Sequence, residues 1–122
     1  MKKILIVDDE PNIVMALEYT LKKNNFQVFI ARDGEEAIEI AKEKIPEIIF
    51  LDIMMPKVDG FEVLENIKSN TDLQHTKVIF LSAKNKEKDI QKGLEKGANA
   101  YLTKPFSMKK LLKEIEYQIL EK

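Results

Sequence analysis

Five short apolar runs alternate with stretches of helical spacing along this chain. The runs are "KILIV" (3–7), "FQVFI" (26–30), "EIIFL" (47–51), "KVIFL" (77–81) and "AYL" (100–102). The first, third and fourth are nearly continuous in apolar residues, the composition of strands covered on both faces; a strand with one wet face alternates instead. Between the runs, Ile13, Val14, Leu17 and Leu21 form one helical stripe, with Pro11 suited to its first turn. Ala37, Ile38 and Ala41 form a second, introduced by Asp33 and Glu36 at capping-box spacing, and Phe61, Leu64 and Ile67 mark a third. Met108, Leu111, Leu112, Ile115 and Ile119 give the clearest stripe, with Ser107 as its N-cap. Segment 86–96 is the weakest helix, since only Ile90 and Leu94 pair at helical spacing and Gly93 and Gly97 flank the second. It reads equally as a solvated helix or as a switching element that is cheap to displace.

Strand followed by helix, five times over, predicts an α/β fold with a parallel sheet covered on both faces. The polar interruption in "FQVFI" and the brevity of "AYL" put those two runs at the edges. Right-handed crossovers then give the order 2-1-3-4-5, a flavodoxin-like (βα)5 sheet in one domain over residues 1–122, whose ligand crevice lies at the carboxyl ends of strands one and three. A net charge of −1 gives no reason to expect nucleic-acid or anionic-membrane binding. The absence of cysteine excludes a disulfide framework, thiol catalysis and Cys-based metal sites. The apolar part of "MKKILIV" is too short for a signal peptide, and no stretch approaches the ~20 apolar residues of a membrane span. A reducing cytoplasm suits these properties.

The chemistry lies just past the strands. Strand one ends in Asp8 and Asp9, strand three in Asp52 and strand four in Ser82, and strand five runs into "TKPF" with Lys104. The fold brings all five side chains to one rim. Clustered carboxylates repel by roughly 4 kcal/mol per close pair at ~4 Å in a surface-like dielectric. A divalent cation converts that repulsion into a site, and an all-oxygen donor set suits Mg²⁺, or Mn²⁺ in its place. Lys104 supplies a second compensating charge, so Asp52 is expected to stay ionised. A carboxylate beside a cation is equipped to attack phosphorus, with Lys104 stabilising the equatorial oxygens and the Ser82 hydroxyl bonding one of them.

The segments "ILIVDDE", "IIFLDIMMPKVDGFE", "VIFLSAK" and "GANAYLTKPF" resemble the motifs of the two-component response-regulator receiver domain, the CheY-like family, and the resemblance covers essentially the whole chain. It implies that Asp52 is the phosphoacceptor, that Asp9 binds Mg²⁺ directly with help from Asp8, and that the backbone carbonyl of Met54 completes the protein's contribution to the metal. It further implies that Ser82 and Tyr101 are the switch residues, that Lys104 contacts the phosphoryl group, and that the bond to Pro105 is cis. The implied donor is a sensor histidine kinase or a histidine phosphotransfer protein, because His75, the only histidine, stands alone in a polar loop. The face formed by helix 4, strand 5 and helix 5 would then change.

Met54, two residues past Asp52, offers no group to orient water, and neither does Lys84, so slow self-dephosphorylation is expected. Asn99, Ala100, Lys110 and Glu114 do not reproduce the charged dimer face of the winged-helix regulators, so a monomer is expected before phosphorylation. The chain reads either as a complete single-domain regulator or as the N-terminal receiver of a longer one. Two other readings compete. One is a metal-dependent phosphohydrolase with an aspartyl-phosphate intermediate, and "DIM" lacks the second acid such enzymes often carry. The other is a flavodoxin-like binding module, for which "DDEPN" replaces a phosphate-cradling glycine loop.

Overall fold

The computed structural model describes residues 1–55 and 58–120. Pro56 and Lys57, inside the "IIFLDIMMPKVDGFE" motif, and the last two residues lie outside the described set. The elements are β1 (Lys3–Val7), α1 (Pro11–Lys23), β2 (Gln27–Ala31), α2 (Gly34–Lys44), β3 (Ile48–Asp52), α3 (Gly60–Lys68), β4 (Lys77–Ser82), α4 (Glu87–Glu95), β5 (Ala100–Thr103) and α5 (Met108–Leu120), with a 3₁₀ turn at Thr71–Leu73. The strands pair in parallel in the order β2-β1-β3-β4-β5, as the apolar runs predict.

The continuous apolar runs divide between two cores because side chains alternate across a strand. Leu5, Val7, Ile49, Leu51, Val78 and Phe80 face Ala37 and Ala41 of α2 and Val63, Leu64 and Ile67 of α3. Ile4, Ile6, Ile48, Phe50, Ile79 and Leu81 face Leu17 and Leu21 of α1 and Leu111 and Ile115 of α5. Each such side chain, fully buried, contributes about 1.5–3 kcal/mol, so the central strands are the rigid part that carries the rim.

Helix ends follow the sequence with two changes. Asp33 accepts a hydrogen bond from Glu36 N–H at 2.9 Å, but the Glu36 carboxylate reaches Arg32 N–H at 3.0 Å rather than Asp33 N–H. The expected box therefore closes one residue further back. Asp59, to which the sequence analysis gave no role, is the N-cap of α3 and accepts from Glu62 N–H at 3.0 Å. Ser107 caps α5 as expected, accepting from Lys110 N–H.

Helix α4 departs most. Ile90 is only half-buried and Leu94 is 41% exposed, so the predicted apolar pair does not anchor it. Its buried residue is Gly93, which lies against the rings of Tyr101 and Phe80. A helix held by a glycine presents backbone, not side chain, to its neighbours, and hydropathy cannot register that.

Candidate functional site

Parallel strands share one carboxyl-terminal rim, and β1, β3, β4 and β5 deliver Asp8, Asp52, Ser82 and Lys104 to it. Asp8 follows β1 directly and is buried; its Oδ1 accepts from Glu10 N–H at 2.9 Å, which curls the chain into α1. Asp52 is the last residue of β3, in register with Leu81 of β4, and is also buried. Its Oδ1 accepts from Met54 N–H at 3.3 Å. Behind it, Gly60 N–H donates to Ile53 C=O at 2.9 Å, bringing the start of α3 so close that a Cβ on Gly60 would lie 2.8 Å from the Asp52 carbonyl oxygen. Lys104 is fixed by its own backbone, whose N–H donates to Ser82 C=O at 2.7 Å. The Lys104–Pro105 peptide is cis.

The ammonium of Lys104 stands 2.9 Å from Asp8 Oδ2, 2.9 Å from Glu10 Oε1 and 3.8 Å from Asp52 Oδ2. Asp8, Glu10 and Asp52 each offer a carboxylate oxygen within 4.8 Å of the others. Glu10 is the member that the sequence reading missed, although it completes "DDE". Asp9, expected as the direct metal ligand, falls outside that group. It is exposed and lines an open cavity beside Val14, Met15 and Arg32. The Asp8–Glu10 turn carries residue 10 toward Lys104.

Burial, first, and then the Asp8 charge lift the Asp52 carboxyl from 3.8 to about 6, against the opposing pull of Lys104 and the Met54 hydrogen bond. Asp9 adds to the rise, so its charge reaches the site even though its carboxylate is not in the group. The expectation that ammonium shares Asp52's field holds only weakly, because Lys104 is spent mainly on Asp8 and Glu10. Burial works to lower the Lys104 pKa, but contacts with Glu10 and Asp8 and the charge of Asp52 outweigh it and hold the group above the usual lysine range.

The donor set fits a hard divalent cation. All three ligand atoms are carboxylate oxygens, and the buried Asp8 Oδ2 is paired with the Lys104 ammonium at 2.9 Å. Three carboxylates so close repel one another, and the Lys104 ammonium offsets only part of that charge, which a divalent cation would balance further. Asp8, Asp52 and Glu10 could hold Mg²⁺ or Mn²⁺.

Ser82 is buried at the end of β4, and its Oγ accepts from Lys84 N–H at 3.1 Å. Tyr101 lies half-buried on β5, its hydroxyl donating to Lys84 C=O at 2.9 Å. The two predicted switch residues are thus joined through one intervening residue. The Met54 side chain is 63% exposed, while its N–H is occupied by Asp52. His75 is exposed beside Lys77 at the start of β4, on the opposite rim.

Residues 4–116 match the model of the response regulator receiver domain. The alkaline phosphatase synthesis transcriptional regulatory protein PhoP of Bacillus subtilis is 45% identical over 106 residues, which are 87% of this chain and 43% of that protein. The chain therefore spans less than half the length of this curated relative. Among solved structures, the chemotaxis protein CheY4 of Vibrio cholerae is 31% identical with a TM-score of 0.89, over 96% of this chain and 98% of that one. The receiver domain of a sensor histidine kinase from Pseudomonas aeruginosa is 27% identical with a TM-score of 0.89, over 97% of each chain, and that structure has a magnesium ion coordinated in its active-site cleft.

Proposed function

The chain belongs to the response regulator receiver domain family, and from that premise we propose that it is a phosphoacceptor switch in which Asp52 takes a phosphoryl group from a phosphohistidine. The donor is a sensor histidine kinase or a histidine phosphotransfer protein. The observation that carries this reading is the buried carboxylate of Asp52 at the end of β3, grouped with Asp8 and Glu10 within 4.8 Å and facing Lys104.

An Asp52 oxygen attacks phosphorus in line with the leaving nitrogen. The O–P bond forms as the P–N bond breaks, and the electron pair returns to the imidazole, which leaves neutral when its other nitrogen already carries a proton. Asp52 need not lose a proton first, because a carboxyl titrating at about 6 is mostly ionised at neutral pH. Lys104 can follow the charge onto the transferred group, since its ammonium already lies 3.8 Å from Asp52 Oδ2. Ser82 offers a hydroxyl to a phosphoryl oxygen, and its movement is felt by Tyr101 through Lys84. Asp8, Asp52 and Glu10 would hold Mg²⁺ or Mn²⁺, with Asp9 and the Met54 carbonyl as further candidates. The bound cation would supply charge neutralisation on the phosphoryl oxygens.

The domain spans residues 1–122, acts in the cytoplasm, is monomeric before phosphorylation, and serves as a stoichiometric acceptor rather than a turnover enzyme. The exposed thioether of Met54 supports that last point, because no acid or amide there can activate water. Intact mass after incubation with acetyl phosphate and Mg²⁺ tests the reading. One added phosphoryl group is expected, dependent on the metal and absent from Asp52→Ala. Turnover of p-nitrophenyl phosphate without labelling would favour the phosphohydrolase instead.

A further inference from the structure

Between α3 and α4 lies an open groove of about 670 Å³ whose charge is graded along its length. Asp59 and Glu62 stand where α3 begins, Glu65 lies midway, and Lys68 and Lys96 mark the ends of the two helices. Lys92 sits one turn before Lys96, its ammonium 4.7 Å from the centre of the Phe61 ring. Among the described residues, Lys68, Lys92 and Lys96 pair with no carboxylate.

Lys68 is the unusual member. Its stem crosses over Gly97, with Cγ 3.7 Å from where a Cβ would stand on that residue. The ammonium donates to Asn99 Oδ1 at 2.9 Å, and the same oxygen accepts from Val78 N–H at 2.9 Å. A lysine usually ends in water or on a carboxylate; this one ends on a neutral amide oxygen that is already shared. Partial burial, first, and then the charge of Lys77 hold the amine below the usual lysine value. An amine that gives up its proton readily is a nucleophile, and this residue stays exposed along the groove.

We propose that Lys68 is an acylation site whose substrates are small acyl phosphates, the phosphate held by the Lys92 and Lys96 ammoniums while the acyl carbon meets the Lys68 amine. The Lys68 ammonium first loses one proton to water, and the freed nitrogen attacks the acyl carbon. The N–C bond forms as the C–O bond to phosphate breaks. The phosphate leaves with that electron pair and takes up the second amine proton. The amide product keeps one N–H for Asn99 Oδ1, so the tie from α3 survives while the charge facing Lys77 is lost. The site does not depend on Asp52, whose chemistry concerns the phosphoryl group of such a reagent and not its acyl group.

Wild-type protein in EDTA, at about pH 8, is treated with acetyl phosphate, and peptides cut after glutamate are followed by mass spectrometry. Lys68 should gain an acetyl group roughly threefold faster than the average of the other lysines. Asn99→Asp sets a carboxylate against the amine and still accepts from Val78 N–H. It should bring Lys68 down to that average and leave the other lysines unchanged. Replacing both Lys92 and Lys96 by glutamine should slow Lys68 with acetyl phosphate but not with acetic anhydride, which carries no charge. If that double variant fails to fold, added salt should produce the same split in the unsubstituted chain. Acetylation of Lys68 no faster than the average, or no slower in Asn99→Asp, overturns the site. Equal slowing with both reagents overturns the hold on the phosphate.

Discussion

Replacing Asp52 by asparagine should make the metal-free protein more stable at neutral pH. The substitution keeps shape and volume, and the amide oxygen can still accept from Met54 N–H. What it removes is a negative charge on a side chain 8% exposed, beside Asp8. The carboxyl titrates at about 6 in the folded chain against 3.8 when unperturbed. That difference corresponds to about 3 kcal/mol of destabilisation once the group is ionised in both states, at about 1.36 kcal/mol per pH unit. The opposing attraction of Lys104 is already contained in it. Allowing for relaxation and water penetration, a gain of about 1–3 kcal/mol is expected, or roughly 4–12 °C in Tm for a domain of this size.

The sign against pH follows directly. Because the folded pKa lies above the unfolded one, the folded state binds the proton more tightly, and the penalty is fully present only above about 6. It shrinks as pH falls from about 6 toward 3.8 and vanishes below that. Urea denaturation of both proteins in EDTA, at pH 7.5 and again near pH 4.5, measures the gap. Effects common to both chains cancel in the difference. Equal stabilities at pH 7.5, or a gap that does not narrow at the lower pH, would refute the electrostatic account of the site.

Mg²⁺ should raise the Tm of the wild type and raise that of Asp52→Asn much less, by thermal denaturation over a metal titration, because only the former carries the full set of acids. Lys104→Met should cost about 2–4 kcal/mol in chemical denaturation, since it strips the buried Asp8 of its ion pair, and Mg²⁺ should restore part of the loss. Gly60→Ala should cost about 2 kcal/mol or more by the same measurement, because its Cβ would sit 2.7 Å from Ile53 Cα and neither backbone can yield without moving α3. Phosphorylated protein freed of donor should keep its label for minutes or longer by intact mass; loss within seconds would contradict the assignment of Met54 as an inert neighbour.

How far the sequence carried the structure depends on what each feature is made of. The five strands and their order were readable because burial on both faces writes itself as nearly unbroken apolar runs in the central strands, although β2 and β3 each lie one residue further along than their runs and β4 and β5 each extend one residue beyond theirs. The rim was readable for a related reason: in a parallel sheet, the residue after each strand has little choice of side. Glu10 was not readable, because its partner Lys104 lies 94 residues away and its approach depends on a turn made by Asp8 Oδ1. The anchoring of α4 was invisible for the opposite reason. It consists of an absent side chain, and neither periodicity nor hydropathy scores an absence. Asp33 and Glu36 show the finer limit, since their spacing predicted a cap but not which N–H the glutamate would reach.

These misses share a location with the chemistry. Residues chosen for stability agree with one another across local and global levels, and they are the ones that could be read. Around Asp52 the choices conflict. A buried acid sits beside a second acid, and the Lys104 ammonium is drawn toward Asp8 and Glu10. Asparagine at position 52 would relieve the repulsion between the two buried acids at almost no steric cost. An acid there is a cost to the fold, which accords with the proposed phosphoacceptor role. A divalent cation between the acids would offset their repulsion, and the proposed attack on phosphorus needs the ionised carboxylate, which asparagine cannot supply.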